Sequence, residues 1–183
     1  CDREIIQYIE SLSGKAVMTS DQHERASDRC AEALMLLEKE QNEPYDIVVM
    51  VQGDEPMTHP DMITEAVQPM LENPNLLVVN LLGQISGNDE FVNPNCIKVV
   101  CDLNNNALYF SREPVPARFT TNKVPFGKQV CIIPFRRDFL LEYTSMTPTP
   151  LEIAESIDML RILEHGMTVR LIPTKYNTIA VDT

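Results

Sequence analysis

The chain has no CxxC pair, no Gly-rich loop of the GxGxxG or GxxxxGK type, and no apolar run near the about 18 residues a membrane helix needs. Each absence removes a class. Without paired cysteines, the five at Cys1, Cys30, Cys96, Cys101 and Cys131 suggest neither a disulfide framework nor a zinc cluster, and a reducing cytoplasm fits best. Without the glycine loops, dinucleotide binding and P-loop chemistry lack support, and no Ser-His-Asp order points to a nucleophile. Positive charge is scarce: 15 Lys and Arg against 27 Asp and Glu give a net charge of −12. An acidic surface repels nucleic-acid backbones and anionic membranes, so neither is expected as a partner, whereas divalent cations and small ligands remain open. Repeats, low-complexity tracts and a signal peptide are also missing.

What is present predicts an α/β fold in one domain spanning 1–183. At 183 residues and 44% hydrophobic, the chain can bury a sizeable core. Asp2 caps an expected helix in which Ile5, Ile6, Ile9 and Leu12 recur at helical spacing. A short strand at Ala16 to Thr19 precedes a second helix starting near Ser27, with Ala31, Leu34, Met35 and Leu37 inward. Ile47 to Val51 is an uninterrupted apolar run, as in a strand covered on both faces, and it points to a mostly parallel, sandwiched sheet. A helix from about Asp61 to Leu71 and a strand from Leu76 to Leu82 continue the alternation. Ile97 to Cys101 and Ala107 to Phe110 flank Leu103-Asn104-Asn105-Asn106 and predict a hairpin. Glu113 to Gly127, rich in proline, is expected to be a mobile surface loop of the kind that closes on ligands. Strands at Gln129 to Phe135, Val169 to Ile172 and Thr178 to Val181, a short helix at Arg137 to Tyr143 and a longer one from Leu151 to His165 complete the expectation. Cys1-Asp2 opens into a helix with no strand before it, and Val181-Asp182-Thr183 stops where a strand would lead onward, so a piece trimmed at both ends is expected.

Four groups of residues carry candidate chemistry. Gln52-Gly53-Asp54-Glu55-Pro56 follows the apolar strand, and ligands in open α/β sheets bind at the carboxyl ends of strands. Asp54 is the best metal ligand there, although the same residue types are common in plain turns. Asp182 ends another apolar stretch and supplies a second strand-end acid; a helix cap is its ordinary alternative. Arg112, Arg118 and Arg161 offer guanidinium forks for a sugar carboxylate, against the alternative of surface ion pairs. His23, Ser27 and Arg29 lie at the start of the second helix, where an exposed amino terminus favours anions and polar rings; Ser27 as a simple N-cap is the competing reading.

Taken in order, Val17-Met18-Thr19-Ser20, His23 with Ser27-Asp28-Arg29, Val51 to Pro56, Asn93-Pro94-Asn95 with Lys98-Val99-Val100, Ala107 to Arg112, Pro150-Leu151-Glu152 and Val181-Asp182-Thr183 resemble the 3-deoxy-manno-octulosonate cytidylyltransferase (CMP-Kdo synthetase) family from end to end. The resemblance implies a three-layer Rossmann-like fold of the GT-A type with a mixed, mostly parallel sheet. It also implies a homodimer, with an excursion at about 93–150 serving dimerisation and sugar binding. The implied reaction transfers CMP from CTP to the anomeric hydroxyl of an acidic 2-keto sugar, releasing pyrophosphate for lipopolysaccharide synthesis, with Mg2+ as cofactor. Asp54 and Asp182 take the metal positions; Gln52, Arg112, Arg118, Gln129, Asp158 and Arg161 are expected at the sugar; His23, Ser27 and Arg29 border the cytidine.

The sequence departs from that pattern. A basic amino-terminal loop and a final helix are absent, so this polypeptide alone is expected to be inactive. Arg25-Ala26 replaces Ser-Gly, a change expected to alter the nucleotide contact, while Gln129 and Ile133 stand where a His and a Tyr are expected and Asp158-Met159 replaces a Glu-Gln pair. A pocket built for hydroxyls does not usually discard its hydrogen-bonding groups, which predicts a related sugar, amino-substituted or deoxygenated. Two competitors are a non-catalytic dimerisation or regulatory module of the same fold and a nucleotidyltransferase with another sugar or nucleotide; a glycosyltransferase would show an Asp-x-Asp motif, which is missing.

Overall fold

The computed structural model describes residues 2–117, 126–178, 180 and 181. In chain order the elements are α1 (Arg3–Ser11), α2 (Ala26–Gln41), β1 (Ile47–Val51), α3 (Pro60–Glu72), β2 (Val79–Gly83), α4 (Asn88–Val92) and β3 (Lys98–Cys101). They continue with β4 (Ala107–Ser111), β5 (Phe126–Val130), β6 (Ile132–Arg136), α5 (Arg137–Ser145), α6 (Pro150–Glu155), α7 (Met159–Glu164) and β7 (Arg170–Pro173).

The architecture is α/β with a mixed sheet, as expected. A five-stranded sheet runs β4-β3-β5-β2-β7, and β1 pairs with β6 as a two-stranded ribbon tied to it by a bridge from Val78 to Phe135. Strand alternation divides the core into two layers. One face packs Ala31 and Leu34 of α2, Phe139, Leu140 and Tyr143 of α5 and Leu160 of α7 against the sheet; on the other, Met62 and Ala66 of α3 cover Leu81, Val130 and Ile132. Each fully buried large apolar side chain contributes about 1.5–3 kcal/mol.

Several expectations change. Among the described pairings only β2–β7 is parallel, because the β3–β4 hairpin and the return of β5 and β6 reverse the chain. Ala16 to Thr19 forms no strand; Arg29 and Glu32 of α2 satisfy Thr19 and Ser20 instead, through Nη1 to Thr19 Oγ1 at 2.7 Å and Ser20 N to Oε2 at 2.8 Å. Met35 faces outward. The run from Gln129 to Phe135 breaks at Cys131, where the chain leaves the large sheet and lays β6 against β1. The single helix expected from Leu151 to His165 is two, because Ser156 adopts a left-handed conformation, φ 54°. Thr178, Ala180 and Val181 form no strand. The hairpin stands: Asn105 takes φ 59°, and Asp102 Oδ1 accepts from the N–H groups of Asn104 and Asn106, both at 2.8 Å. Of the loop expected at 113–127, residues 118–125 lie outside the described residues, and Phe126 and Gly127 instead open β5, where they pair with β3.

α1 is capped as expected, Asp2 Oδ1 accepting from Glu4 N at 2.9 Å, yet no residue of α1 is buried. A firmer tie joins α2 to α5. Arg137 forks onto Glu38, Nε to Oε1 at 2.7 Å and Nη2 to Oε2 at 2.8 Å, and Tyr45 N donates to the same carboxylate at 3.1 Å. The fork, reinforced by the Tyr45 N–H, pulls the Glu38 carboxyl from 4.5 down to about 2. A depressed carboxyl stabilises the fold above its unfolded pKa and loses that contribution as pH falls through the folded value. Thermal denaturation from pH 6 to 2 is therefore expected to show the unmutated protein losing melting temperature relative to Glu38→Gln between about pH 4.5 and 2. Parallel curves would remove this linkage.

Candidate active site

The apolar run of β1 ends because Gln52 turns its N–H to Cys131 O, 3.3 Å away, and the chain then folds into a turn closed by Glu55 N on Gln52 O at 3.2 Å. The turn therefore abuts the point where β5 gives way to β6. Glu55 reinforces this contact, its Oε1 accepting from Cys131 N at 3.3 Å. Burial raises the Glu55 carboxyl above its ordinary range, opposed by that N–H and assisted by the negative charge of Asp54. Among the described residues Asp54 Oδ1 is buried and without a hydrogen-bond partner, the condition of an oxygen available to a ligand. Val181 N donates to the Asp54 carbonyl at 2.8 Å. The residue before Asp182 thus lies beside Asp54, although Asp182 itself, like Arg118, is outside the described residues.

Two cavities meet at this turn. One, of about 370 Å3, is lined by Gln52, Asp54, Arg112, Gln129 and Asp158 among others. The other, of about 440 Å3, is lined by His23, Arg29, Gln52 and Asp54. Four expected sugar-side residues and two expected nucleotide-side residues are thereby gathered around Asp54. The four departures Gln129, Ile133, Asp158 and Met159 all face the first cavity.

The walls are held by polar ties. Arg112 donates from Nε to Glu155 O at 2.7 Å, from Nη1 to Pro94 O at 3.2 Å and from Nη2 to Ser156 O at 3.3 Å. Two of those acceptors exist because the chain breaks at Ser156. Gln129 Nε2 donates to Asn80 Oδ1 at 2.8 Å. Asp158 accepts from Ser27 Oγ on Oδ2 at 3.2 Å and pairs with Arg25 through Oδ1 at 3.2 Å. Burial raises the Asp158 carboxyl, with Arg25 and Ser27 pulling against it. On the other side His23 Nε2 meets Glu32 Oε2 at 2.5 Å, and Arg29 Nη2 donates to His23 O at 3.3 Å, so Arg29 braces the turn that carries the imidazole.

Two site expectations are corrected. Arg161 does not reach either cavity: it is buried, its Nε and Nη2 on Glu152 at 2.7 and 2.6 Å, its guanidinium over the Tyr143 ring. That carboxylate consumes the fork a substrate would need. Ser27 neither caps α2, whose N-cap is Arg25, nor lines the second cavity; its hydroxyl is spent on Asp158.

Sequence reasoning gave no role to two buried cations. Lys98, wholly buried, donates from Nζ to Asn93 O at 2.8 Å and to Arg112 O, so it fastens the loop and strand end that present Arg112; desolvation lowers its pKa. Lys128 lines the first cavity and is held by Glu90, Thr178 O at 2.9 Å and Asn177 Oδ1. A lone Lys inside an apolar strand was the available signal for both, since such a charge is buried only with partners.

Comparison with known proteins agrees with the geometry. A family model described as cytidylyltransferase matches residues 1–169. The 3-deoxy-manno-octulosonate cytidylyltransferase of Geotalea daltonii is 39% identical over all of this chain and 74% of its own length, and that of Fusobacterium nucleatum is 36% identical over all of this chain and 72% of its own. The structure of CMP:2-keto-3-deoxy-manno-octonic acid synthetase complexed with CTP superposes with a TM-score of 0.86 at 34% identity, covering all of this chain and 73% of the other. With an acid at the end of its first strand between two adjoining cavities, and with these relatives matched along its whole length, the chain belongs to the cytidylyltransferase family.

Proposed function

We propose that the protein transfers CMP from CTP to the anomeric hydroxyl of an acidic 2-keto sugar, Kdo or a Kdo-like derivative, in lipopolysaccharide or surface polysaccharide synthesis. The hydroxyl oxygen bonds to the α-phosphorus, the bond from that phosphorus to the bridging oxygen breaks, pyrophosphate leaves, and the hydroxyl proton passes to solvent. The observation that carries the reading is Asp54, with an unpartnered buried oxygen at the edge shared by two cavities and its carbonyl joined to Val181.

The implied cofactor is a divalent cation, Mg2+. Among the described residues no group of three His, Cys, Asp or Glu could hold a metal, but a lone carboxylate oxygen left for a hard cation suits Mg2+, which takes one or two protein carboxylates plus phosphate oxygens. Asp54 and Asp182 would hold it, and it would supply charge stabilisation for the phosphates. The chain's own residues orient the reactants: His23 and Arg29 border the nucleotide, while Gln52, Arg112 and Gln129 border the sugar. Four changed residues facing one cavity support a modified sugar.

The excursion at about 93–150 is read as the dimerisation surface of a homodimer; exposed Leu103 and Leu108 on the β3–β4 hairpin support this. A cytoplasmic location is part of the same reading; among the described residues no helix is long and apolar enough to cross a membrane.

Thermal shift on the full-length protein with Mg2+ tests the nucleotide: CTP alone is expected to raise the melting temperature through linkage. Equal shifts from UTP or GTP would point to another nucleotidyltransferase, and CTP binding without turnover on any sugar acid would point to a non-catalytic module. A panel of keto-sugar acids tests the second substrate, and a clear preference for unmodified Kdo would overturn the modified-sugar reading.

A further inference from the structure

We infer that Arg25 is a further substrate-binding residue, holding an oxyanion of the reacting pair at the wall between the two cavities; this rests on the functional reading above. Three cations line the first cavity among the described residues: Arg25, Arg112 and Lys128. Arg112 has each of its three nitrogens already donating to a backbone carbonyl. Lys128 is surrounded by Glu90, Thr178 O and Asn177. Arg25 differs. Its Nη1 meets Asp158 Oδ1 at 3.2 Å and Ser156 Oγ at 3.4 Å, while Nε and Nη2 have no partner among the described residues.

Its position gives those donors a use. Arg25 lines both cavities, together with Gln52 and Asp54, so it stands on their common wall. Its anchor is itself fixed: Ser27 holds Asp158 Oδ2, and Tyr143 Oη donates to the Asp158 carbonyl at 3.0 Å. A guanidinium is a rigid planar fork, so pinning one corner sets the direction of the remaining edge. The wall needs a cation, because Asp54, Glu55 and Glu90 also face the first cavity and would repel both a phosphate and a sugar carboxylate.

Removing Arg25 alone would strand the Asp158 carboxylate, so the decisive variant is Arg25→Ala with Asp158→Asn, which removes both charges together. Calorimetry on the full-length protein would measure CTP and Kdo separately, alongside kcat and KM. The double variant is expected to fold, to lose tenfold or more in affinity for one ligand, and to keep the other within threefold. Loss on CTP identifies the oxyanion as phosphate, and loss on Kdo beyond that of Asp158→Asn alone identifies it as carboxylate. Arg25→Lys, which keeps the charge without the fork, is expected to recover only part of the loss. A double variant that binds both ligands within threefold and turns over at the unmutated rate would reduce Arg25 to a structural ion pair. An unmutated protein that binds neither ligand would instead overturn the functional reading, and the inference with it.

Discussion

Asp54→Asn in the full-length protein is expected to lower kcat at least about a hundredfold, by analogy with the loss of one preorganised electrostatic stabiliser in a water-poor site. The substitution keeps the size of the side chain and its carbonyl tie to Val181, so the turn after β1 should survive. What it removes is half the acceptor capacity of a carboxylate whose Oδ1 has no partner among the described residues. Pyrophosphate release with saturating CTP and sugar acid measures the effect, and an unchanged melting temperature without ligand separates it from misfolding. Turnover within tenfold of the unmutated enzyme would discard Asp54 as a metal ligand.

The largest effect on stability is expected away from the cavities. Arg161→Ala or Glu152→Ala should cost about 3–5 kcal/mol, because each leaves its partner charged and buried. The pair is bidentate, lies under α6 and α7, and Arg161 also donates to the carbonyls of Tyr143 and Met146 at 3.3 and 3.2 Å. Combining Arg161→Met with Glu152→Leu is expected to recover most of the loss, apart from the cap that Glu152 gives Thr149 N. Urea denaturation with an unchanged m-value measures both. Single variants within about 1 kcal/mol of the unmutated protein would show that water reaches the pair.

Local patterns made much of the fold legible. The strand at Ile47–Val51, the asparagine hairpin and Asp2 as a cap are decided by neighbours in sequence, and the structure holds all three, although β1 runs antiparallel to β6 and leaves Val51 exposed instead of being covered on both faces. What was misread depends on distant partners. Cys131 breaks an apolar stretch because Gln52 and Glu55, far back in the chain, take its carbonyl and N–H. Ser156 turns left-handed inside a helical pattern whose periodicity gives no warning. At the site, Gln52, Asp54 and Arg112 were recognisable from residue type and motif. Arg161 was misjudged because a sequence does not reveal which Arg has found a buried carboxylate. Lys128 escaped notice for the converse reason: its value lies in what surrounds it.

The interruption at Ser156 has a reach beyond its own turn. A continuous helix would spend the carbonyls of Glu155 and Ser156 on amides one turn further along, and Arg112 would lose two of the three acceptors that steer it. If Arg112 borders the sugar as proposed, recognition of an acidic ligand would depend in part on a hydroxyl-bearing residue bent out of regular geometry. A lineage drifting toward tighter helical packing there would trade away its grip on the ligand.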